Sequence, residues 1–171
     1  MGTILGVLAF VGSAAPTTFY LCCCGSGDWP AQPDTKRWKG AVSLGAAFIT
    51  IALLFAPALE TGGALLAALG GNVVTWGAYG IAEAQAPGDD KTKRRGTAVA
   101  CALAGLFLLA LCYAEDLRFS STDVFPTAEI GLNVCAAGGT LLGTGAPLAC
   151  AAPGRKAGGK HDAGAAVAPE N

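Results

Sequence analysis

The chain has 171 residues, of which 53% are apolar and only 13% are charged, and its net charge is −1. Soluble domains usually carry about 25% charged residues, so this deficit indicates that most of the surface does not face water. The length suits one domain, and a net charge near zero creates no field that attracts nucleic acid, so we expect no nucleic-acid partner.

Five stretches are long and apolar enough to cross a bilayer, which takes about 20 mostly apolar residues for roughly 30 Å of hydrocarbon. In chain order they cover residues 3–24, 38–59, 62–84, 96–117 and 125–152. The fifth is the most polar and is rich in glycine, so a bundle of four spans is the alternative. The sequence therefore predicts an all-α, polytopic membrane helix bundle over residues 1–152 and a disordered tail over residues 153–171.

The first span is open to a second interpretation, because Ser13, Ala14 and Ala15 resemble the cleavage site of a secretory signal peptide. Residues 1–3 contain no basic residue, which such a peptide normally carries before its apolar core. Removing the span would also place nearly all the cations outside the cytoplasm. We therefore expect it to be retained as a membrane helix.

Cys22, Cys23 and Cys24 end the first span, next to the first cluster of cations. Thiols at the cytoplasmic membrane surface are typical sites of S-palmitoylation, because the attached acyl chain enters the bilayer beside them. The alternative is that these cysteines serve only as small apolar residues. We predict all three as candidate palmitoylation sites.

The other cysteines lie within the spans, at Cys101, Cys112, Cys135 and Cys150. The chain has no CxxC motif, and the predicted non-cytoplasmic loops contain no cysteine. We therefore expect neither a disulfide framework nor a structural zinc site.

The lysines and arginines set the predicted orientation, because ten of the eleven fall on one side when all five stretches cross. With four spans, or with residues 62–84 as a re-entrant loop, the division is only seven to four. The opposite side receives Arg118 alone, beside Glu115, Asp116 and Asp123. The positive-inside rule then predicts a non-cytoplasmic N-terminus and a cytoplasmic C-terminus, or the equivalent compartments of an organelle.

Two spans repeat small residues at every fourth position, which places each set on one helix face. Such a face lets another helix approach closely in a membrane. The third span carries Gly63, Ala67 and Gly71, and the fifth carries Gly131, Cys135, Gly139 and Gly143. The two stripes match at a constant offset, so an internal duplication is one interpretation. The alternative is chance similarity in a chain that is rich in Ala and Gly. The many Gly-Gly pairs are interpreted as a consequence of composition.

Asn72 and Asn133 lie on these same two spans, each roughly 12–15 Å below the non-basic face at 1.5 Å per residue. Equal depth on neighbouring helices predicts that the two amides form an interhelical polar pair. The alternative is that each amide bonds a nearby backbone carbonyl.

Few residues of the chain could take part in catalysis or bind a cofactor or metal. Glu83 and Glu129 lie near opposite membrane faces, so we expect interfacial anchors rather than one paired site. His161 is the only histidine and lies in the tail, which leaves no histidine in the spans to ligate haem. We find no nucleophile–base set, no phosphate-binding loop and no metal-ligand cluster, and we therefore expect no cofactor and no enzymatic activity.

The sequence thus predicts a non-catalytic accessory or scaffold subunit that lies in the lipid bilayer and packs against other membrane proteins, in a hetero-complex or homo-oligomer. The alternative is a small oligomeric transporter or channel. That function needs polar groups that converge at mid-membrane, for which the candidates are Asn72, Thr75, Asn133 and Thr140.

Overall fold

A computed structural model describes residues 2–24, 35–59, 61–85, 91–117 and 125–151, and within these ranges all regular structure is α-helical. The helices are α1 (Gly2–Cys24), α2 (Thr35–Leu54), α3 (Ala56–Leu59), α4 (Thr61–Gln85), α5 (Lys91–Asp116) and α6 (Ala128–Ala151). Five of the six are long and apolar enough to cross a membrane, and α3 is a single turn. The all-helical fold and the five apolar helices are therefore confirmed. The predicted tail, residues 153–171, lies outside the described residues.

The second predicted span is divided near its end into α2 and α3. Pro57 has no N–H to donate to the carbonyl four residues before it, so the regular ladder cannot continue through this position. The amide of Phe55 still bonds Ile51 at 3.0 Å, and the carbonyl of Phe55 then accepts bonds from Ala58 at 2.9 Å and Leu59 at 3.0 Å. One separate helical turn therefore leads into α4.

The starts of three helices differ from the predicted limits by three residues or more. α2 begins at Thr35 and α5 at Lys91, so the basic residues near these positions lie on helices rather than in loops. α6 begins at Ala128, three residues later than predicted, because Thr127 caps it: the Thr127 hydroxyl accepts a bond from the amide of Ile130 at 3.3 Å. This later start changes the depth of every residue on α6.

α6 is the central helix. It packs against α1, α4 and α5, while α2 packs mainly against α4. Successive long helices alternate in direction, so α1, α4 and α6 run one way and α2 and α5 run the other. On α6, only Ala128 and Cys150 are exposed. The Gly-rich, polar composition that made the fifth stretch the least secure span follows from this position, since a helix that is surrounded by protein needs no apolar outer face.

Candidate functional site

The interior of the bundle is built from small and polar side chains. Among the described residues, Leu148 is the one fully buried side chain larger than asparagine. The exposed side chains include many large apolar ones on α1, α2, α4 and α5, among them Ile4, Val7, Leu8, Leu44, Leu65, Leu103 and Phe107. Small side chains in the interior therefore let the helix backbones approach one another closely.

The predicted stripe on α6 faces α1. A Cβ atom at Gly139 would lie 3.0 Å from the Ala9 side chain, and at Gly143 it would meet the hydroxyl of Ser13. That hydroxyl donates to the carbonyl of Ala9 at 2.8 Å, so it remains satisfied inside the interface. The two backbones therefore approach as closely as glycine allows. Gly131 differs from the rest of the stripe, because it faces the ring of Phe125 in its own entry segment.

The predicted stripe on α4 faces α6. A Cβ atom at Gly63 would lie 2.9 Å from the amide nitrogen of Asn133, and at Gly71 it would lie 3.0 Å from the carbonyl of Ala137. Ala67 between them is fully buried beside Ala137. The two stripes therefore belong to different interfaces, and they do not face each other.

Adjacent glycines face two different helices. On α4, Gly70 lies against Gly45 of α2, whereas Gly71 lies against Ala137 of α6. On α6, Gly138 lies against Leu108 of α5, whereas its neighbour Gly139 lies against α1. Successive residues project about 100° apart around a helix, so such a pair serves two interfaces at one level. The interpretation of these pairs as merely compositional is wrong.

Asn72 and Asn133 have different partners, which corrects the predicted pairing. The Asn133 amide donates to the carbonyl of Ala52 on α2 at 2.7 Å. The Asn72 amide donates to the Ala68 carbonyl at 3.3 Å, and its oxygen accepts a bond from the Thr144 hydroxyl at 2.5 Å. Sequence reasoning did not identify Thr144 or Ala52.

The corrected start of α6 explains why the two amides do not meet. Asn133 lies five residues after Ala128, which is about 8 Å along the helix, whereas Asn72 lies eleven residues after Thr61, or about 17 Å. Asn133 is therefore level with Gly63, near the start of α4, and Asn72 is level with Thr144, near the far end of α6.

A disulfide joins Cys112 of α5 to Cys135 of α6, with a Cα–Cα distance of 6.0 Å. This contradicts the expectation that a chain without cysteines in its outer loops forms no disulfide. Cys112 lies about one turn before the end of α5, and Cys135 lies two turns into α6. The two helices are antiparallel neighbours, so these positions come together at the end of the bundle where the described ranges hold no lysine or arginine.

A cavity of about 380 Å³ opens beside this disulfide. Its lining includes Gly2, Glu115, Asp116, Phe125 and both cysteines. The Asp116 carboxylate accepts a bond from the backbone amide of Thr3 at 3.0 Å, so the negative charge lies at the positive N-terminal end of α1. The cavity is thus framed by contacts that hold the N-terminus of α1 against α5.

The opposite end of the bundle is basic. All seven lysines and arginines in the described ranges lie there, in the first turns of α2 and α5. Glu83 of α4 forms a 3.3 Å ion pair with Arg94 of α5 at this end, which fits an interfacial anchor. Cys22 and Cys23 are exposed, free thiols in the last turn of α1 at the same end, and Cys24 closes that helix.

A groove of about 410 Å³ also lies at the basic end, between α1 and α2. It is lined by Pro16, Thr17 and Tyr20 of α1, Trp38 of α2 and Trp76 of α4. Across the described residues, no three His, Cys, Asp or Glu side chains are grouped so that they could hold a metal ion.

We expect the disulfide to be detectable by thiol counting. Labelling of the denatured, non-reduced protein with a maleimide polymer should leave Cys112 and Cys135 unmodified, and reduction should add two labels. The Cys112→Ser variant should gain one label without reduction, because Cys135 is then free. It should also lose about 2–4 kcal/mol of stability, since the bridge closes a loop of 23 residues. Equal labelling before and after reduction would contradict the bridge.

A double-mutant cycle should distinguish the two asparagines. The Asn72→Leu and Thr144→Val substitutions should be coupled by about 0.6–2 kcal/mol, because they remove the two partners of one partly buried bond between helices. Asn72→Leu and Asn133→Leu should be additive within about 0.5 kcal/mol. The measurement is unfolding in mixed micelles, and coupling of the asparagines instead would restore the pairing predicted from the sequence.

No protein-family model matches the chain, and no curated protein and no solved structure matches it either. The function is therefore argued from the chain's own residues.

Proposed function

We propose that this chain is an integral membrane protein that serves as a non-catalytic accessory or scaffold subunit, packed against other membrane proteins. The observation that carries the proposal is the inverted distribution of its side chains. Large apolar groups cover the outside of α1, α2, α4 and α5, while the interior holds alanine, glycine, serine, threonine and asparagine. In water this arrangement would expose a large apolar surface, whereas in lipid it places the apolar groups in their preferred solvent.

Two independent features support a non-cytoplasmic N-terminus and a cytoplasmic C-terminus. Basic residues at the start of α2 and α5 favour the cytoplasmic side for that end of the bundle. The Cys112–Cys135 disulfide lies toward the opposite end, whereas exposed free thiols at Cys22, Cys23 and Cys150 lie at the basic end. Disulfides persist in oxidising compartments and thiols in the reducing cytosol, so the cysteines favour the same orientation as the charges.

An outward stripe on α2 supports a protein partner. Gly40, Ser43, Ala47 and Thr50 are all exposed, and their spacing of three and four residues places them on one helix face. No atom of the described chain lies within 4 Å of a Cβ built at Gly40. Small residues favour helix contact in a membrane and give little contact with lipid, so this stripe is suited to a helix from another subunit.

The polar residues that a transporter would use are engaged in hydrogen bonds within and between helices. Thr75 and Thr140 are buried and donate to carbonyls of their own helices at 2.9 Å and 3.0 Å, while Asn72 and Asn133 bond to α6 and α2. The hydrogen bonds of these four side chains favour the accessory or scaffold role over a transport path through one protomer. S-Palmitoylation of Cys22, Cys23 and Cys24 stays a prediction.

The orientation can be tested by glycosylation mapping. An acceptor site that is fused to the N-terminus should be glycosylated when the chain is inserted into microsomes, and the same site at the C-terminus should not. The reason is that the cations at the basic end should be kept on the cytosolic side. Modification of both fusions, or of neither, would place the two termini in one compartment and overturn the five-span arrangement.

The assembly can be tested on the α2 stripe. Ala47→Leu should release the partner, because a larger side chain prevents close approach of a second helix, and native mass spectrometry in mild detergent should show at least tenfold less complex. Ala104→Leu on α5 is the matched control, since it enlarges another exposed, mid-helix alanine.

Three outcomes of that experiment would count against the proposed subunit role. A wild-type protein that is monomeric in its native membrane extract needs no partner. Equal loss of complex in Ala47→Leu and Ala104→Leu would show a general effect rather than an interface on α2. A homo-oligomer with an aqueous path would favour a transporter or channel.

A further inference from the structure

We propose that the groove between α1 and α2 binds one acyl chain of an anionic phospholipid, whose phosphate headgroup lies among Lys36, Arg37 and Lys39. This inference rests on the membrane location proposed above. It adds a ligand site that is independent of the protein partner on α2.

The groove exists because α1 and α2 pack on different inner helices. α1 lies against α6 and α2 against α4, which leaves a space of about 410 Å³ between the outer helices at the basic end. Its walls are almost entirely apolar, and Thr17 contributes a side chain that is already buried. A hydrocarbon chain can fill such a space without leaving a polar group unsatisfied.

Aromatic rings give the groove a preformed shape. Tyr20 and Trp76 meet edge to face with ring centroids 5.8 Å apart, a favourable geometry for an aromatic pair. The indole of Trp38 lies directly on the backbone of Gly80, where any Cβ atom would collide with the ring. The rings on three helices are therefore fixed by protein contacts and do not depend on the ligand for their position.

The depth of the groove matches the upper part of a lipid chain. Trp38 lies three residues from the start of α2, about 5 Å along the helix, and Trp76 lies nine residues before the end of α4, about 14 Å. The groove thus extends from the membrane surface toward the middle of a bilayer whose hydrocarbon is roughly 30 Å thick. A chain that enters beside Trp38 reaches Trp76 within one leaflet.

Basic residues near the groove give it a preference for a negatively charged lipid. Lys36, Arg37 and Lys39 are exposed in the first turns of α2 and adjoin Trp38 in sequence. The positive charges of these three residues, next to Trp38 in sequence, favour a lipid that carries a net negative charge over a zwitterionic lipid with the same chains.

Tryptophan quenching tests the site directly. In a Trp29→Phe background all tryptophan emission comes from Trp38 and Trp76, which both line the groove. The purified full chain is titrated in micelles with phosphatidylglycerol or phosphatidylcholine that carries brominated chains. We expect quenching by the anionic lipid to be half complete at a roughly tenfold lower mole fraction. About 1 M salt should reduce this preference to less than threefold, because it screens exposed charges.

Variants locate the headgroup. Replacing Lys36, Arg37 and Lys39 with glutamine should abolish the preference for the anionic lipid, while quenching by both lipids at high mole fraction persists. Lys93→Gln/Arg95→Gln is the matched control, because these residues are exposed at the same end but lie on α5, away from the groove. This control should retain the full preference.

The remaining outcomes overturn the proposal in distinguishable ways. Equal quenching by both lipids would remove the anionic site but leave the membrane location intact. Absence of quenching by either lipid, with an intact mass that carries a covalent acyl group, would assign the groove to a chain on Cys22, Cys23 or Cys24. Absence of quenching with a dimeric mass would assign it to a second copy. Absence of quenching in an unmodified monomer would show that the groove takes no lipid chain, while the glycosylation mapping would still decide the membrane location on its own.

Discussion

Close approach of helix backbones is the constraint on which this structure depends. In the membrane location proposed above, the surrounding lipid chains are as apolar as leucine, so the helices gain little from hiding apolar surface and must gain from contact. α6 meets this requirement in two directions with its own glycines, Gly139 toward α1 and Gly138 toward α5. Toward α4 the arrangement is reversed, because α4 supplies Gly63 and Gly71 while α6 supplies the larger side chains, including Asn133 and Thr140. A single central helix therefore organises three interfaces.

The fold class followed from the sequence because length and hydropathy are local properties. Five apolar stretches can be found by inspection, and all five correspond to long helices in the structure. The arrangement of these helices was harder to infer, since a stripe of small residues indicates a contact face without naming the helix that it meets. The adjacent glycines at 70 and 71 and at 138 and 139 held a further signal. Two small residues about 100° apart mark a helix that is packed on two sides, and such a helix belongs near the centre.

The errors at individual sites arose from boundaries and from pairing across helices. A shift of three residues at the start of α6 moves Asn133 by about 4–5 Å, enough to separate it from Asn72 and to place it beside Ala52. The disulfide was missed for a different reason. Cys112 and Cys135 are each embedded in an apolar stretch, and only the antiparallel packing of α5 on α6 brings them together. The spacing of the two cysteines along the chain does not indicate how α5 and α6 are aligned.

The two ends of the bundle are held by different means. At the end opposite the basic one, the disulfide links α5 to α6, and Asp116 holds the first turn of α1. At the basic end, the ion pair of Glu83 with Arg94 links only α4 and α5. The last turns of α1 touch α4 through the rings of Tyr20 and Trp76, and they do not pack along α2. The gap between α1 and α2 begins at Pro16, beyond the glycine contacts that α6 makes with Ala9 and Ser13, so a chain that enters the gap does not need to displace those contacts.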